Sequence, residues 1–264
     1  MKKLVVGFIA LGLLCLHIYK PSILEVVKLR AFDYAVKTEE PTGNFVLLNI
    51  AESDVRNEGG WPFPRERLAQ IHVDLLNAGA LSVSWVAEIP KTEGTVILGD
   101  DFGGVLAKGV TQNIQPLRDV SLQGIVGATL EADLLLRRMP LLMRSPDGWM
   151  ASFGTQLLKA VTGTSTYVIK TNSNGIEQVR VKQLNPIPTD SEGRVWVNWV
   201  APKETSLQEM DVQGKVVIVG TTAKGILPQV STPVGLLYPH QIQASLAETI
   251  IHASNKRMPM IPQE

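Results

Sequence analysis

Hydrophobic and polar positions divide the chain into segments of distinct period. Leu4 to Ile18 is apolar on every side rather than striped, and Lys2 and Lys3 precede it. Ser22 to Val36 sets Ile23, Val26, Val27, Phe32 and Tyr34 among charges and predicts a helix, which Pro41-Thr42-Gly43 breaks. Phe45 to Ile50 has the length of a buried strand. Pro64 suits the first turn of a helix, where its missing N–H does little harm. Leu68, Ile71, Leu75 and Leu76 then recur at helical spacing up to Gly79. Leu81 to Ala87 is the next strand, so this stretch predicts a βαβ unit with parallel strands and a right-handed crossover.

Further on, Val96 to Leu98 predicts a strand, Phe102 to Lys108 a short helix, and Gly124 to Thr129 a strand. Trp149 to Val161 predicts a helix with Phe153, Leu157 and Leu158 inward and Gly163 as its stop. Thr166 to Lys170 and Ile176 to Leu184 flank Asn172-Ser173-Asn174-Gly175, the chemistry of a hairpin turn. Arg194 to Val200 alternates apolar and polar residues, Lys215 to Val219 is an apolar strand, and Pro239 to Ile251 is the last helix. The pattern predicts an α/β fold: a mixed, mostly parallel sheet flanked by helices and preceded by one N-terminal membrane helix. The division is 1–20 as membrane anchor or uncleaved signal, 21–40 as helical stalk, and 41–264 as the body.

Composition narrows the function classes. Lys plus Arg and Asp plus Glu each total 25, so no global basic field attracts nucleic acid. The lone Cys15 excludes an internal disulfide framework and a Cys-rich zinc site, and the four histidines show no metal-ligand spacing. No cofactor motif is present. The apolar run is shorter than the ~20 residues of a usual span, but Tyr19 at headgroup level and a snorkelling Lys20 make residues 4–19 a feasible membrane contact. A cleaved signal peptide fits less well, because Leu16-His17-Ile18-Tyr19-Lys20-Pro21 lacks small residues at A-x-A spacing. The remaining alternative is a buried helix of a soluble protein.

Candidate chemistry is sparse. Val219-Gly220-Thr221-Thr222-Ala223-Lys224-Gly225 follows a buried strand and could offer N–H groups, hydroxyls and an ammonium to an anion, or be an ordinary turn. Glu52 and Asp54 follow the first strand, where ligand sites of α/β sheets concentrate. Glu39/Glu40 and Asp100/Asp101 read as solvated pairs, Arg137-Arg138 as a charged turn at a strand edge, and His72 as a surface or boundary residue. His240 opens the last helix and is a candidate to line a site. Gly59-Gly60-Trp61-Pro62-Phe63-Pro64-Arg65 is the most distinctive stretch: its aromatics make either a ligand wall or a lock between strand and helix, and Arg65 or Arg67 could hold a carboxylate. No nucleophile elbow is present.

Several segments, in one order, resemble the CHASE sensor domain of the second type (cyclases/histidine kinases associated sensory extracellular). They are Leu29-Arg30-Ala31-Phe32-Asp33-Tyr34, Gly60-Trp61-Pro62-Phe63-Pro64-Arg65, Leu76-Asn77-Ala78-Gly79-Ala80, and Gly214 through Thr222 with Ser231-Thr232-Pro233 beyond. The resemblance runs from about Leu29 to His252. It implies an extracytoplasmic sensor behind an N-terminal membrane helix, with further membrane helices and a cyclase or kinase output after it. This chain ends at Glu264, about where those helices would begin, and is read as lacking the output module. Departures from the family pattern are Ala51 at the first strand's exit and the region near Val86, where the family usually carries Asp. Another is Pro239-His240-Gln241-Ile242-Gln243-Ala244 in place of P-G-V-x-I-H-A.

The expectation is therefore a single-pass inner-membrane protein with its body facing the periplasm or exterior, and no catalysis. It would bind an unidentified small molecule through Glu52, Asp54, Trp61, Arg65, Thr221, Thr222, Thr232 and His240. Its partners would be the membrane, a cyclase or kinase output and, in one arrangement, a second copy of itself. The alternatives are a hydrolase using Glu52, Asp54 and His240, and an interaction protein without a ligand.

Overall fold

The computed structural model describes residues 22–35, 39–86, 96–98, 105–107, 121–127, 129–145, 148–164 and 166–255. The anchor assigned to residues 4–19 lies outside them. Among the described residues, no helix is long and apolar enough to cross a membrane.

A parallel sheet of four strands organises the body, in the order β12 (Lys203–Thr205), β1 (Phe45–Ile50), β13 (Val216–Thr221), β2 (Ser82–Val86). Every pairing in it is parallel. The expected βαβ unit is present as β1, α3 (Arg65–Asn77) and β2, and α2 (Glu52–Asn57) precedes α3. Its two strands are not neighbours, because β13, far later in the chain, runs between them and pairs with both. All six residues of β13 are buried, as a central strand covered on both faces requires.

The period of two sends β1 and β13 to two cores. Val46, Leu48, Ile50, Val217 and Val219 face Phe63, Ile71 and Leu75 on the α2–α3 side. Phe45, Leu47, Val216 and Ile218 face the opposite side, with Leu157 and Leu158 of α4 (Phe153–Thr162) and Ile242, Leu246 and Ile250 of α5 (Pro239–Asn255). At 25 cal/mol per Å2 of apolar surface, each such fully buried side chain contributes roughly 1.5–3 kcal/mol.

The middle of the chain is mostly antiparallel. The hairpin β8 (Tyr167–Asn172) and β9 (Gly175–Val181) forms where the Asn172–Gly175 turn predicts it, and β10 (Ile187–Pro188) joins β9. β5 (Arg138–Pro140) pairs with β11 (Arg194–Trp196), and β14 (Val230–Thr232) with β15 (Gly235–Leu237). A further sheet has the order β3 (Val96–Leu98), β4 (Val105–Ala107), β6 (Leu142–Ser145), β7 (Gly148–Ala151). Three expectations are corrected here. Val105–Ala107 is strand rather than helix, because it pairs with both β3 and β6. Trp149 belongs to β7, and the helix starts only after Ser152, whose hydroxyl caps the Thr155 N–H. Of the expected strand at Gly124 to Thr129, the described residues form only a bridge from Ile125 to Ser152.

The predicted first helix is α1 (Ser22–Ala35). It lies against the body: Leu29 is buried, Phe32 meets Trp196 with ring centroids 4.2 Å apart, and Asp33 pairs with Arg137.

Candidate functional site

The carboxyl ends of β1 and β13 gather most of the candidate residues, the edge where parallel α/β sheets place ligands. Glu52 and Asp54 open α2 directly after β1. Ala51 at the helix N-cap has no side-chain acceptor, and Asp54 compensates from within the first turn by accepting the Ala51 N–H at 2.8 Å. Its other oxygen accepts from Gln208 Nε2 at 2.9 Å, which leaves the buried carboxylate fully engaged.

In the loop after β13 the backbone donors are engaged within the fold. The Thr222 N–H donates to Ile50 C=O at 3.0 Å, the Ala223 N–H to Thr221 Oγ1 at 3.2 Å, and the Lys224 N–H to Glu52 Oε2 at 3.1 Å. Three consecutive donors are spent inside the fold. Thr221, fully buried, also donates its hydroxyl to Ile50 C=O at 3.1 Å. The segment is a turn that ties β13 to β1, as the plainer reading of the sequence holds.

His240 is fully buried at the start of α5. Its ring packs on Gly220 of β13, where a Cβ would come within 2.2 Å of His240 Cγ and Nδ1. Only glycine permits that approach. His240 Nε2 lies 2.9 Å from Asn49 Oδ1. Asn49 Nδ2 in turn donates to Glu204 Oε2 at 2.9 Å, which fixes Oδ1 as an acceptor and therefore Nε2 as the protonated nitrogen. Nδ1 is then a lone pair, and it has no partner. Burial pushes the His240 pKa down to about 4, so the ring is neutral under physiological conditions. Gln241 Nε2 also donates to Glu204, at 3.2 Å, and Tyr238, stacked near His240, donates its hydroxyl to Thr222 C=O at 2.8 Å. The result is an amide–carboxylate ridge of Asn49, Glu204 and Gln241 over a neutral, buried imidazole. It can offer hydrogen bonds to a polar ligand, but His240 is poorly placed to shuttle protons.

The other candidates lie elsewhere in the fold. Trp61 is half-buried on the α2–α3 side, in an edge-to-face contact with Phe63 at 5.0 Å, and the Trp61–Pro62 peptide is cis. Arg65 is exposed in the first turn of α3, while Arg67 reaches Glu58 at 2.6 Å. Thr232 closes the β14–β15 turn by donating to Gly235 C=O at 2.6 Å. His72 lies 3.2 Å from the Trp85 indole N–H. Among the described residues no group of three or more His, Cys, Asp or Glu is arranged to hold a metal ion.

Two polar clusters escape the sequence reading. Arg137 is no edge residue: it is buried, with two-pronged hydrogen bonds to both Asp33 and Asp133 at 2.7–2.9 Å. Arg138 binds Glu131 and Asp190 and lies over Trp196. Glu39, expected to be solvated, pairs with His252 at 2.7 Å. The spacing of Asp133 with Arg137, and of Glu248 with His252, is visible in the sequence. The partners on the N-terminal segments are not.

The CHASE2 domain family matches residues 7–264. The chain belongs to that family. CHASE2 domains are extracellular sensory domains, a class without catalytic function. No curated protein and no solved structure matches the chain.

Proposed function

We propose that this CHASE2 chain is the extracytoplasmic sensory domain of a membrane-anchored signalling protein. It binds a small polar molecule at the carboxyl edge of the parallel sheet and passes its state to a cyclase or kinase output. Residues 4–19 anchor it in the inner membrane, and the body faces the periplasm or exterior. The observation that carries this reading is the meeting of the body's two ends. Thr42, on the connector into β1, donates its N–H to Glu248 near the end of α5 at 2.9 Å, and Glu39 pairs with His252. A domain held between membrane segments needs its incoming and outgoing chain on one side, and the packing of the 39–42 connector on the end of α5 supports that reading.

The ligand edge is assigned to Glu52, Thr222, Asn49, Glu204 and Gln241, with His240 as the buried floor. Signalling requires that the ligand favour one arrangement of α1 relative to α5, because equal affinity for two arrangements shifts neither. The hydrolase alternative draws no support from these contacts, because Asp54 meets Ala51 and Gln208, Glu52 meets Lys224 and Arg56, and His240 meets Asn49. Each is committed to a different partner.

Proteinase K applied to intact cells, spheroplasts and lysed membranes tests the topology. Cleavage of the body in spheroplasts is expected. Cleavage only after the inner membrane is lysed rejects the reading. A turnover screen with Glu52→Ala as control tests the absence of catalysis, and activity lost in that variant would restore the hydrolase.

A further inference from the structure

The contact between connector and α5 contains a titratable group in an unusual setting. His252 Nε2 lies 2.9 Å from the Glu40 carbonyl oxygen and 3.9 Å from Glu248 Oε2. His252 Nδ1 lies 2.7 Å from Glu39 Oε2, as a charge contact off the axis of a straight hydrogen bond. Carbonyl and carboxylate oxygens only accept. A neutral imidazole has one N–H, so it serves one of these neighbours and turns a lone pair toward the other. The imidazolium alone presents a protonated nitrogen to each, as a hydrogen bond to the Glu40 carbonyl and a charge contact to Glu39.

Glu248 strengthens the requirement. Its carboxyl is fully buried, Oε2 accepts the Thr42 N–H at 2.9 Å, and Oε1 has no partner. A buried carboxylate needs an offsetting charge, which a protonated His252, one turn along the same helix and 3.9 Å away, would supply. Among the described residues, the ionisable groups around His252 are Glu39 and Glu40 on the connector and Glu248 on its own helix. β1, β13 and β10, which pack on α5, carry none, and α4 carries only Lys159. The His252 side chain keeps 16% of its surface in solvent, so protons reach it.

We propose that His252 is a proton-gated clasp between the incoming connector (39–42) and the outgoing end of α5. It is closed while the ring carries both protons and loosens as pH rises through its titration. The chain would then respond to the acidity of its surroundings as well as to a ligand. The clasp rests on the same contacts that support the topology proposed above, but amide exchange reads the clasp and protease access reads the topology, so the failure of one is distinguishable from the failure of the other.

Hydrogen exchange on the full-length chain tests it, with the Thr42 amide followed from about pH 5 to about pH 8 and rates corrected for intrinsic exchange. Protection at Thr42 is expected to fall roughly tenfold across the His252 titration, about the loss of one charge-assisted hydrogen bond. Histidine C2–H resonances give the midpoint. His252→Gln keeps a donor but cannot titrate, and its Thr42 protection is expected to be low and flat. Glu39→Gln removes the facing carboxylate and is expected to lower Thr42 protection at acid pH toward the His252→Gln level. Constant protection in the wild type overturns the clasp. So does pH dependence that survives in His252→Gln, or acid-pH protection in Glu39→Gln equal to the wild type's. Should His252→Gln fail to fold, the wild-type profile and Glu39→Gln still decide.

Discussion

Arg137→Met is the sharpest test of how α1 is held. The guanidinium is 1% exposed and faces Asp133 and Asp33, which are 6% and 17% exposed. Methionine fills similar volume and removes the charge, which strands two carboxylates. Breaking a buried pair from one side costs about 3–5 kcal/mol. Arg30 stays 3.4 Å from Asp133 and Asp33 keeps some water, so the lower end, about 3 kcal/mol, is expected. For a chain of this size that is a Tm loss of about 6–12 °C. Urea and thermal melts of the full chain, followed by circular dichroism, measure it. Adding Asp133→Asn to the variant is expected to return part of the loss, because it removes a stranded charge. Acid supplies an independent sign. Hydrogen bonds from Arg137, then its charge, hold the Asp133 carboxyl below its ordinary 3.8 against the opposing effect of burial. That stabilisation is fully present above 3.8 and is lost as pH falls through the lowered value. The gap between wild type and Arg137→Met should therefore narrow at strongly acid pH. A variant within about 1 kcal/mol of wild type would show that the pair breaks even with solvation, as exposed pairs do, and would refute the reasoning.

Gly220→Ala drives a Cβ to 2.2 Å from a ring that has nowhere to go, and is expected to cost about 3 kcal/mol. Melts of this variant and of Gly220→Ala with His240→Ala check it, since the double change should regain stability; an unshifted Gly220→Ala midpoint would show that the ring is mobile. His240, with its pKa pushed from 6.5 to about 4, binds its proton later in the folded than in the unfolded chain. Stability should fall by about 3 kcal/mol as pH drops from 6.5 to about 4. A urea series across that range should lose this slope in His240→Gln. Trp61→Ala removes a half-buried ring and is expected to cost about 2 kcal/mol, under the 3–5 of a fully enclosed aromatic. A larger loss in urea would place Trp61 wholly in the core.

Local pattern made the elements legible where one segment decides its own fate. The Asn172–Gly175 hairpin, the Pro64 helix start and the apolar run of β13 all form as expected. It failed where tertiary pairing overrides propensity. Val105–Ala107 is a strand because β3 and β6 flank it, and Trp149 is a strand residue because β7 needs a partner for β6. Strand order was illegible for the same reason: nothing near residue 216 says that β13 inserts between β1 and β2. Of the candidate residues, Glu52, Asp54, Thr221 and Thr222 were singled out by their place after strands, and His240 by its place at the start of the last helix. Asn49 and Glu204 were not, because alone each is an ordinary polar residue of a strand. Gly220 is legible only afterwards, as the space that His240 occupies.

The N-terminal approach to the body is fastened twice, and the two fastenings differ in strength. Arg137 holds α1 with a permanently charged group that is almost completely buried, at a cost of about 3 kcal/mol to break. The connector is held by His252 and the Thr42 N–H, at the surface and by a group that can lose its charge, a tie of about 1–2 kcal/mol. Coupling between sites is commonly about 1–3 kcal/mol, so a ligand or a proton commands enough free energy to open the second tie and barely enough for the first. The rigid element of the sensor is then α1 with the β5–β11 region, and the element free to respond is the junction of residues 39–42 with α5. α5 reaches from His240, under the proposed ligand edge, to His252 at that junction, so one helix touches both the place where a ligand would bind and the tie it could release. If exchange at Thr42 changes on ligand addition while the Asp33–Arg137 contact stays protected, the signal runs along α5; if both loosen together, α1 and the body move as separate units instead.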